Sequence, residues 1–314
     1  MKRFFLLSIL LIVLCVPRAQ AVGQSISTPK AKPFAVSFTV TDASGRPVND
    51  LKAEDFQLFD AGVPADILSF SKENLSVTYG LVLDHSGSLK ERFREIVEAA
   101  KKLANGNEAN DQTFIVAFVG HDQIELIHEM TTDKGSLVAA VDKLRTELGQ
   151  TALIDAMYVA TQYAMKRQLR PGERRPALVL ISDGEDRASY YNETQLFELL
   201  HNSGLQVFPI VFVGDLDSDR GLIMRSTREK ALKLVTRLAS ETSGETFILN
   251  STKQLPDAIE SVTRSLHSHY LVTYNTQKNP DKVKRNVQIK LKKTPEHDKW
   301  RLFLGDVGVA KDTQ

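Results

Sequence analysis

The chain has 314 residues, with 40 basic and 39 acidic side chains and a formal net charge of +1. Because the charges balance and no block of basic residues stands out, the composition argues against nucleic acid as a partner. The single cysteine excludes a disulfide framework, and the length suits one large domain with a smaller one.

The first residues predict a secretory signal peptide. Lys2 and Arg3 precede a mostly apolar run, Phe4–Val16, and Ala19–Ala21 offers the small-x-small pattern that signal peptidase cuts. We expect cleavage after residue 21, which removes three basic residues, leaves 37 against 39 acidic ones, and gives a net charge of about −2. The prediction is a secreted or periplasmic protein with no membrane span after cleavage. An uncleaved signal would instead leave an N-terminal anchor.

The next segment predicts the opening of a β domain. Residues 22–32 are polar and indicate a short flexible leader. In Phe34–Thr41 apolar residues alternate with small or polar ones, which is typical of a half-buried strand. The stretch Phe56–Phe70 predicts a hairpin that turns at Ala61 and Gly62. Residues 33–73 are therefore predicted to form the N-terminal part of a β domain.

From Val77 the pattern changes to apolar strands separated by amphipathic helices. The predicted strands are Thr78–Leu83, Thr113–Val119, Ile124–His128, Ala177–Ile181, Val207–Val213 and Thr246–Leu249. Strands that are buried on both faces and separated by helices predict a mainly parallel, doubly wound α/β sheet over residues 77–266. The link around Gly120 is too short for a helical crossover, so the strand at Ile124 is predicted to be an antiparallel edge strand.

Alternation returns after the α/β segment. Further strands are predicted at His269–Asn275, Asn286–Leu291 and Trp300–Leu304. Three strands alone make a poor core, so residues 268–309 are predicted to complete a small β-sandwich-like domain with residues 33–73. The alternative is two separate β extensions that pack on the α/β domain.

The turn after the first α/β strand carries the main functional signal. In "LVLDHSGSLKERF", Asp84 ends the strand, and Ser86 and Ser88 lie on the turn into the first helix. Ligands bind at this end of such sheets, where the strand order reverses. Three oxygen side chains with one fixed negative charge suit Mg²⁺ or Mn²⁺ better than zinc. As a lone pattern, the same residues could serve only as helix caps.

This pattern resembles the metal-ion-dependent adhesion site of von Willebrand factor A-type (VWA) domains. Such domains add a threonine from a second loop and an aspartate at the end of the fourth strand. Here "LGQTALIDAM" supplies Thr151 and "LVLISDGED" supplies Asp183. His85 and Ser182 differ from residues common among relatives, and neither occupies a ligand position. The flanking "EDFQLFDAG" stretch is similar to an exported, bacterial branch of VWA proteins.

The resemblance implies a metal site of Asp84, Ser86, Ser88, Thr151 and Asp183. The hydroxyls would contact the ion directly or through water, while the two aspartates would hold water ligands or bind directly. The implied ion is Mg²⁺, with Mn²⁺ and Ca²⁺ as other candidates. Its open position would take a carboxylate from a partner protein, so the expected function is an exported adhesion-type binding module that is not an enzyme. The threonine and the second aspartate are expected on exposed loops.

Two other functions remain open at this point. One is a metal-dependent hydrolase, but Asp84 stands where the nucleophile motif G-x-S-x-G has its first glycine, and His85 adjoins Ser86 too closely to act as its base. The other is a binding module whose metal only stabilises the loops. Tyr190 and Tyr191 follow the second aspartate on the expected ligand face, where they either contact a partner or pack within the loop.

Overall fold

The structure is a computed structural model that describes residues 33–42, 47–73, 76–167, 175–213, 226–275, 286–292 and 299–309. The predicted signal peptide and leader lie outside the described residues. The described strands are β1 (Phe34–Thr41), β2 (Phe56–Asp60), β3 (Val63–Ala65), β4 (Ile67–Glu73), β5 (Val77–Asp84), β6 (Gln112–Phe118), β7 (Ile124–Thr131), β8 (Arg175–Ser182), β9 (Gln206–Phe212), β10 (Phe247–Leu249), β11 (His269–Tyr274), β12 (Val287–Leu291) and β13 (Arg301–Val309). The described α-helices are α1 (Phe93–Asn105), α2 (Lys134–Asp142), α3 (Leu153–Arg167), α4 (Glu193–Ser203), α5 (Thr227–Thr242) and α6 (Leu255–His267). No described helix combines the length and the apolar character that a membrane span requires.

Six of the described strands form the central sheet, in the order β10-β9-β8-β5-β6-β7. The first five are parallel, whereas β7 pairs with β6 in the antiparallel sense at the edge. The predicted doubly wound sheet and its antiparallel edge strand are thus confirmed. The chain winds outward from β5 through β6 and β7, and then outward from β8 through β9 and β10. The strand order therefore reverses between β5 and β8, where sheets of this kind bind ligands.

Alternate residues of β5 face two hydrophobic cores. Leu81 and Leu83 pack with residues of α1, α2 and α6 on one side of the sheet. Val82 packs with residues of α3, α4 and α5 on the other side. All of β5 is buried, so its backbone is fixed between two layers up to its last residue, Asp84.

The strands before and after the central sheet combine in two antiparallel sheets. One has the order β13-β1-β11-β4 and the other the order β12-β2-β3. In the first, β11 lies between β1 and β4, with Glu73 paired to His269 where the chain passes to and from the central sheet. Their side chains share one core, in which Phe38 meets Phe56 at 4.9 Å and Tyr270 at 5.5 Å between ring centroids. In two separate β extensions, the N-terminal strands would not pair with the C-terminal ones. The observed pairing therefore supports our proposal of a single β domain.

The predicted hairpin is shorter than the sequence pattern indicated. Ala61 and Gly62 turn between β2 and β3 with φ of 51° and 80°, as two-residue hairpin turns require. The hairpin ends at Ala65, however, because β4 begins at Ile67 and joins the four-stranded sheet.

Removing residues 268–314 tests the shared β domain. The deletion removes β11, which lies inside the four-stranded sheet, and β12, which pairs with β2. The loss of these strands exposes the apolar side chains of Phe34 and Phe38. We expect the truncated protein to aggregate or to lose its cooperative unfolding transition, measured by circular dichroism and sedimentation. A soluble truncation whose N-terminal strands still resist protease would contradict a shared core.

Asp111 joins the two points where the chain enters and leaves the central sheet. Its carboxylate is fully buried and accepts hydrogen bonds from the backbone nitrogen of Val77 (2.8 Å) and from Nε2 of His267 (2.7 Å). Burial would raise the pKa of Asp111, but these hydrogen bonds outweigh it and lower the pKa below 3.8. Burial would lower the pKa of His267, yet its bonds to Asp111 and to the Thr263 carbonyl raise it above 6.5.

Replacing His267 by glutamine keeps a donor for Asp111 but removes the charge. The raised folded-state pKa makes the stabilisation fully present below pH 6.5 and lost as the pH rises through that pKa. The share of Asp111 has the opposite sign and is lost only as the pH falls below about 3.8. We therefore expect the substitution to destabilise the protein more at about pH 6 than at about pH 9, measured by urea unfolding.

The matched control is His128→Gln, because His128 lies on the edge strand β7 and bonds the neighbouring Glu129 carbonyl rather than a carboxylate in the described residues. Its effect should be small and equal at both pH values. An equal loss at the two pH values for His267→Gln would show that the charge of the pair contributes nothing.

Candidate metal site

The five predicted residues meet at the carboxyl ends of β5 and β8, at the switch point of the sheet. Asp84 is the last residue of β5, Asp183 follows the last residue of β8, and Thr151 precedes α3. These three side chains are 0%, 4% and 3% exposed. The expectation that Thr151 and Asp183 lie exposed is wrong, because their loops close over the strand ends and hydrogen-bond to each other.

The three hydroxyls and the Asp183 carboxylate form a continuous chain of hydrogen-bonded oxygens. Ser88 Oγ donates to Asp183 Oδ2 at 2.7 Å and lies 3.0 Å from Ser86 Oγ, and Thr151 Oγ1 donates to Ser86 Oγ at 3.5 Å. The backbone nitrogen of Ser86 donates to Asp84 Oδ1 at 3.0 Å, which bends the turn back toward the strand. The structure thus brings all five side chains together.

The turn itself differs from the predicted helix start. Residues Gly87–Arg92 form a 3₁₀ helix, and α1 begins only at Phe93. The tighter 3₁₀ turn has three residues per turn, which sets the side chains along it differently from those of an α-helix. Leu89 is buried within it and anchors the turn to the core.

The donor set fits a hard divalent cation. All five groups offer oxygen, and adjacent oxygens around an ion bound at about 2.1 Å lie about 3 Å apart, close to the separations seen here. In the described part of the chain, no group of three or more His, Cys, Asp or Glu residues is arranged to hold a metal ion. An ion here would therefore depend largely on hydroxyls.

The site buries negative charge. Burial and, to a smaller extent, the charge of Asp183 together raise the pKa of Asp84 to about 7, against hydrogen bonds from Ser86 and Ser182. Burial also raises the pKa of Asp183, with Glu185 adding to the rise, while hydrogen bonds from the Glu185 amide and Ser88 oppose it. Two buried carboxylates are costly without a counter-charge, and a divalent cation between them would supply one.

Ser182 supports the site without belonging to the predicted ligands. Its Oγ donates to Asp84 Oδ2 at 2.7 Å and accepts from the backbone nitrogen of Gly184 at 3.0 Å. Gly184 has φ of +83° and packs so closely on Val211 and Val235 that a Cβ would lie 3.1 Å from each. The sequence marked Ser182 only as a replacement for threonine, because its role depends on the neighbouring strand.

A further buried carboxylate, outside the predicted site, fixes the loop after β8. Asp155, on the first turn of α3, is 4% exposed and accepts from the backbone nitrogens of Tyr190 and Tyr191, both at 2.8 Å. The ring of Tyr191 stacks on Tyr158 with centroids 3.8 Å apart. The Thr151 carbonyl accepts from the same loop, so the two loops of the site form one hydrogen-bonded unit.

Comparison with known proteins agrees with the fold. The family model described as the von Willebrand factor type A domain matches residues 80–185. The von Willebrand factor type A structure from Catenulispora acidiphila is 12% identical with a TM-score of 0.51, and the match covers 90% of this chain and 75% of that one. The conserved hypothetical protein BatB from Bacteroides thetaiotaomicron is 17% identical with a TM-score of 0.46, covering 60% of this chain and 98% of that one.

A third similar structure is proximal thread matrix protein 1 from the mussel byssus. It was solved with zinc in its metal-ion-dependent adhesion site (MIDAS) motif. It is 16% identical with a TM-score of 0.48, covering 65% of this chain and 48% of that one. No curated protein sequence matches the chain. Fold and site together define a doubly wound α/β domain with an oxygen-lined site at its switch point. Residues 80–185, which contain most of this domain's first strand and all five residues of the site, match the von Willebrand factor type A domain model.

Replacing Asp84 by asparagine tests whether the site holds a cation. The amide keeps the shape of the side chain but removes the buried charge beside Asp183. In EDTA we expect the variant to be at least as stable as the wild type, because the repulsion is gone. With Mg²⁺ at about 100 times its Kd, the wild type should gain about 2.7 kcal/mol and the variant almost nothing, measured by thermal and urea unfolding.

Asp142→Asn is the matched control, since Asp142 is an exposed carboxylate paired with Lys101 on the surface. This control should respond to Mg²⁺ as the wild type does. Equal stabilisation of wild type and Asp84→Asn by Mg²⁺ would mean that any bound ion lies elsewhere.

Proposed function

We propose that the protein binds a partner protein through a divalent cation held by Asp84, Ser86, Ser88, Thr151 and Asp183. The supporting observation is the continuous chain of hydrogen-bonded oxygens at the switch point, next to two carboxylates whose burial favours a counter-charge. Mg²⁺ is the ion we propose first, with Mn²⁺ or Ca²⁺ as alternatives.

Each residue has a distinct part in this proposal. The three hydroxyls supply neutral ligands, so the ion would keep most of its charge. The two aspartates supply negative charge from beneath, held in place by Ser182 and by the Glu185 amide. When bound, the cation would act as a strong electrophile with one coordination position open. A carboxylate of the partner is the natural ligand for that position.

The structure favours binding over hydrolysis. A serine nucleophile needs a base, and the oxygen neighbours of Ser86 Oγ in the described residues are Ser88 and Thr151. The His85 ring instead lies with Nδ1 2.8 Å from the Arg145 carbonyl oxygen. Ser86 is 1% exposed, and its hydroxyl lies against those of Ser88 and Thr151. We therefore propose a non-enzymatic role.

The wider setting follows from the sequence signals. The predicted signal peptide supports a secreted or periplasmic location. Near-neutral composition supports a protein partner rather than nucleic acid. The similarity to VWA domains supports an adhesion-type interaction module.

Affinity capture followed by calorimetry tests the proposal. Wild-type protein, Thr151→Ala and Ser240→Ala serve as baits in Mg²⁺ and in EDTA, with Ser240 as an exposed hydroxyl on α5 far in sequence from the site. The captured partner is then titrated into the protein at several Mg²⁺ concentrations. We expect its affinity to rise with Mg²⁺, because two ligands that share an ion promote each other's binding.

The partner's acidic residue provides the sharpest control. Changing it from aspartate to asparagine, or glutamate to glutamine, should weaken binding at least about tenfold, since the amide lacks the charge that the ion attracts. An affinity unchanged by EDTA and by Thr151→Ala would instead support a cation that only stabilises the loops.

A further inference from the structure

The two most exposed large hydrophobic side chains of the described residues both lie on the loops of the metal site. Leu148 is 91% exposed and Tyr190 is 83% exposed, whereas Leu68, the next in rank, is 54% exposed. Leu148 precedes Thr151 by three residues, and Tyr190 follows Asp183 by seven. A single exposed apolar side chain is ordinary, but the placement of both on the loops of one site suggests a binding surface.

Leu148 is held beside the serine turn. The neighbouring Glu147 donates its backbone nitrogen to the His85 carbonyl at 3.0 Å and forms a bridge with Ser86. A Cβ placed on Gly87, between the two site serines, would lie 3.4 Å from Leu148 Cδ2. The leucine side chain therefore stands over the turn that carries Ser86 and Ser88.

Tyr190 is held on the other loop of the site. Its backbone nitrogen is fixed by the buried Asp155, and its ring meets the half-buried ring of Tyr191 edge-on at 5.5 Å. The structure separates two residues that the sequence could not: Tyr191 packs within the loop, while Tyr190 projects its ring into solvent. An exposed aromatic ring on a fixed backbone loses little conformational entropy on binding.

We propose that Leu148 and Tyr190 form an apolar rim that selects partners whose acidic residue has apolar neighbours. This inference rests on the proposed function, because the acidic residue is the one that the cation would bind. The occupant is a loop of another protein, with its carboxylate at the ion and its flanking apolar side chains on the rim. Charge complementarity fixes the centre of that segment, and the two exposed side chains fix the chemistry on either side of it.

A library of random, loop-constrained peptides displayed on phage tests this selection. The protein is used as bait in Mg²⁺ and in EDTA, and the enriched peptides are sequenced. We expect a central aspartate or glutamate with leucine, phenylalanine or similar residues beside it. Synthetic peptides with leucine on both sides of the acid should bind about tenfold more tightly than peptides with serine there, by fluorescence polarisation.

In the double variant Leu148→Ser and Tyr190→Ser, peptides with leucine and peptides with serine beside the acid should bind with about equal affinity. Leu68→Ser is the matched control, because Leu68 is an exposed leucine on β4, in the four-stranded sheet, and should leave the preference unchanged.

The outcomes distinguish the two proposals. Mg²⁺-dependent enrichment of acidic peptides without an apolar preference, or a preference that survives the double substitution, overturns the rim and leaves the metal-dependent binding intact. The absence of any Mg²⁺-dependent enrichment of acidic residues counts against the proposed function itself. Mg²⁺-dependent self-association lost in the double variant, measured by sedimentation velocity, would identify a second copy of this chain as the occupant and overturn the partner assigned here.

Discussion

The burial of two carboxylates against each other is the constraint on which the site depends. Asp84 and Asp183 end neighbouring parallel strands, so the sheet itself brings them together and the layers on both faces keep water away. Within the described residues, the hydrogen bonds to these two acids come from hydroxyls such as Ser88 and Ser182 and from backbone nitrogens. Hydroxyls lessen the repulsion without cancelling it, which is the reason for proposing a cation at this point.

The sequence was sufficient for the central α/β sheet because the signals for its strands and helices are local. Buried strands such as Val77–Asp84 are continuous apolar runs, and the short link at Gly120 excludes a helical crossover to the edge strand. The five site residues were also within reach, since parallel strands place their carboxyl ends at one edge and the resemblance supplied Thr151 and Asp183. The tight 3₁₀ turn at Gly87–Arg92 was not, because the same apolar spacing fits the start of an α-helix.

What the sequence could not show are contacts between distant residues of ordinary type. Asp111 and His267 are 156 positions apart, and neither lies in a recognisable motif. Asp155 looks like an ordinary acidic residue in the first turn of a helix, yet it is buried and binds two backbone nitrogens of another loop. The different fates of Tyr190 and Tyr191 likewise depend on Tyr158, which stands on α3.

The pairing of β4 with β11 has a mechanical consequence. The chain leaves the flanking sheet at Glu73 and returns at His269, and these two residues are paired across adjacent antiparallel strands. A load applied at the switch point, with the flanking sheets held, reaches both strands at this one end. It would break the hydrogen bonds between β4 and β11 one after another, starting at the Glu73–His269 pair. It would not shear all of them at once. The hydrogen bonds of Asp111 to Val77 and His267 lie between the central sheet and this strand pair, so they would bear the force first.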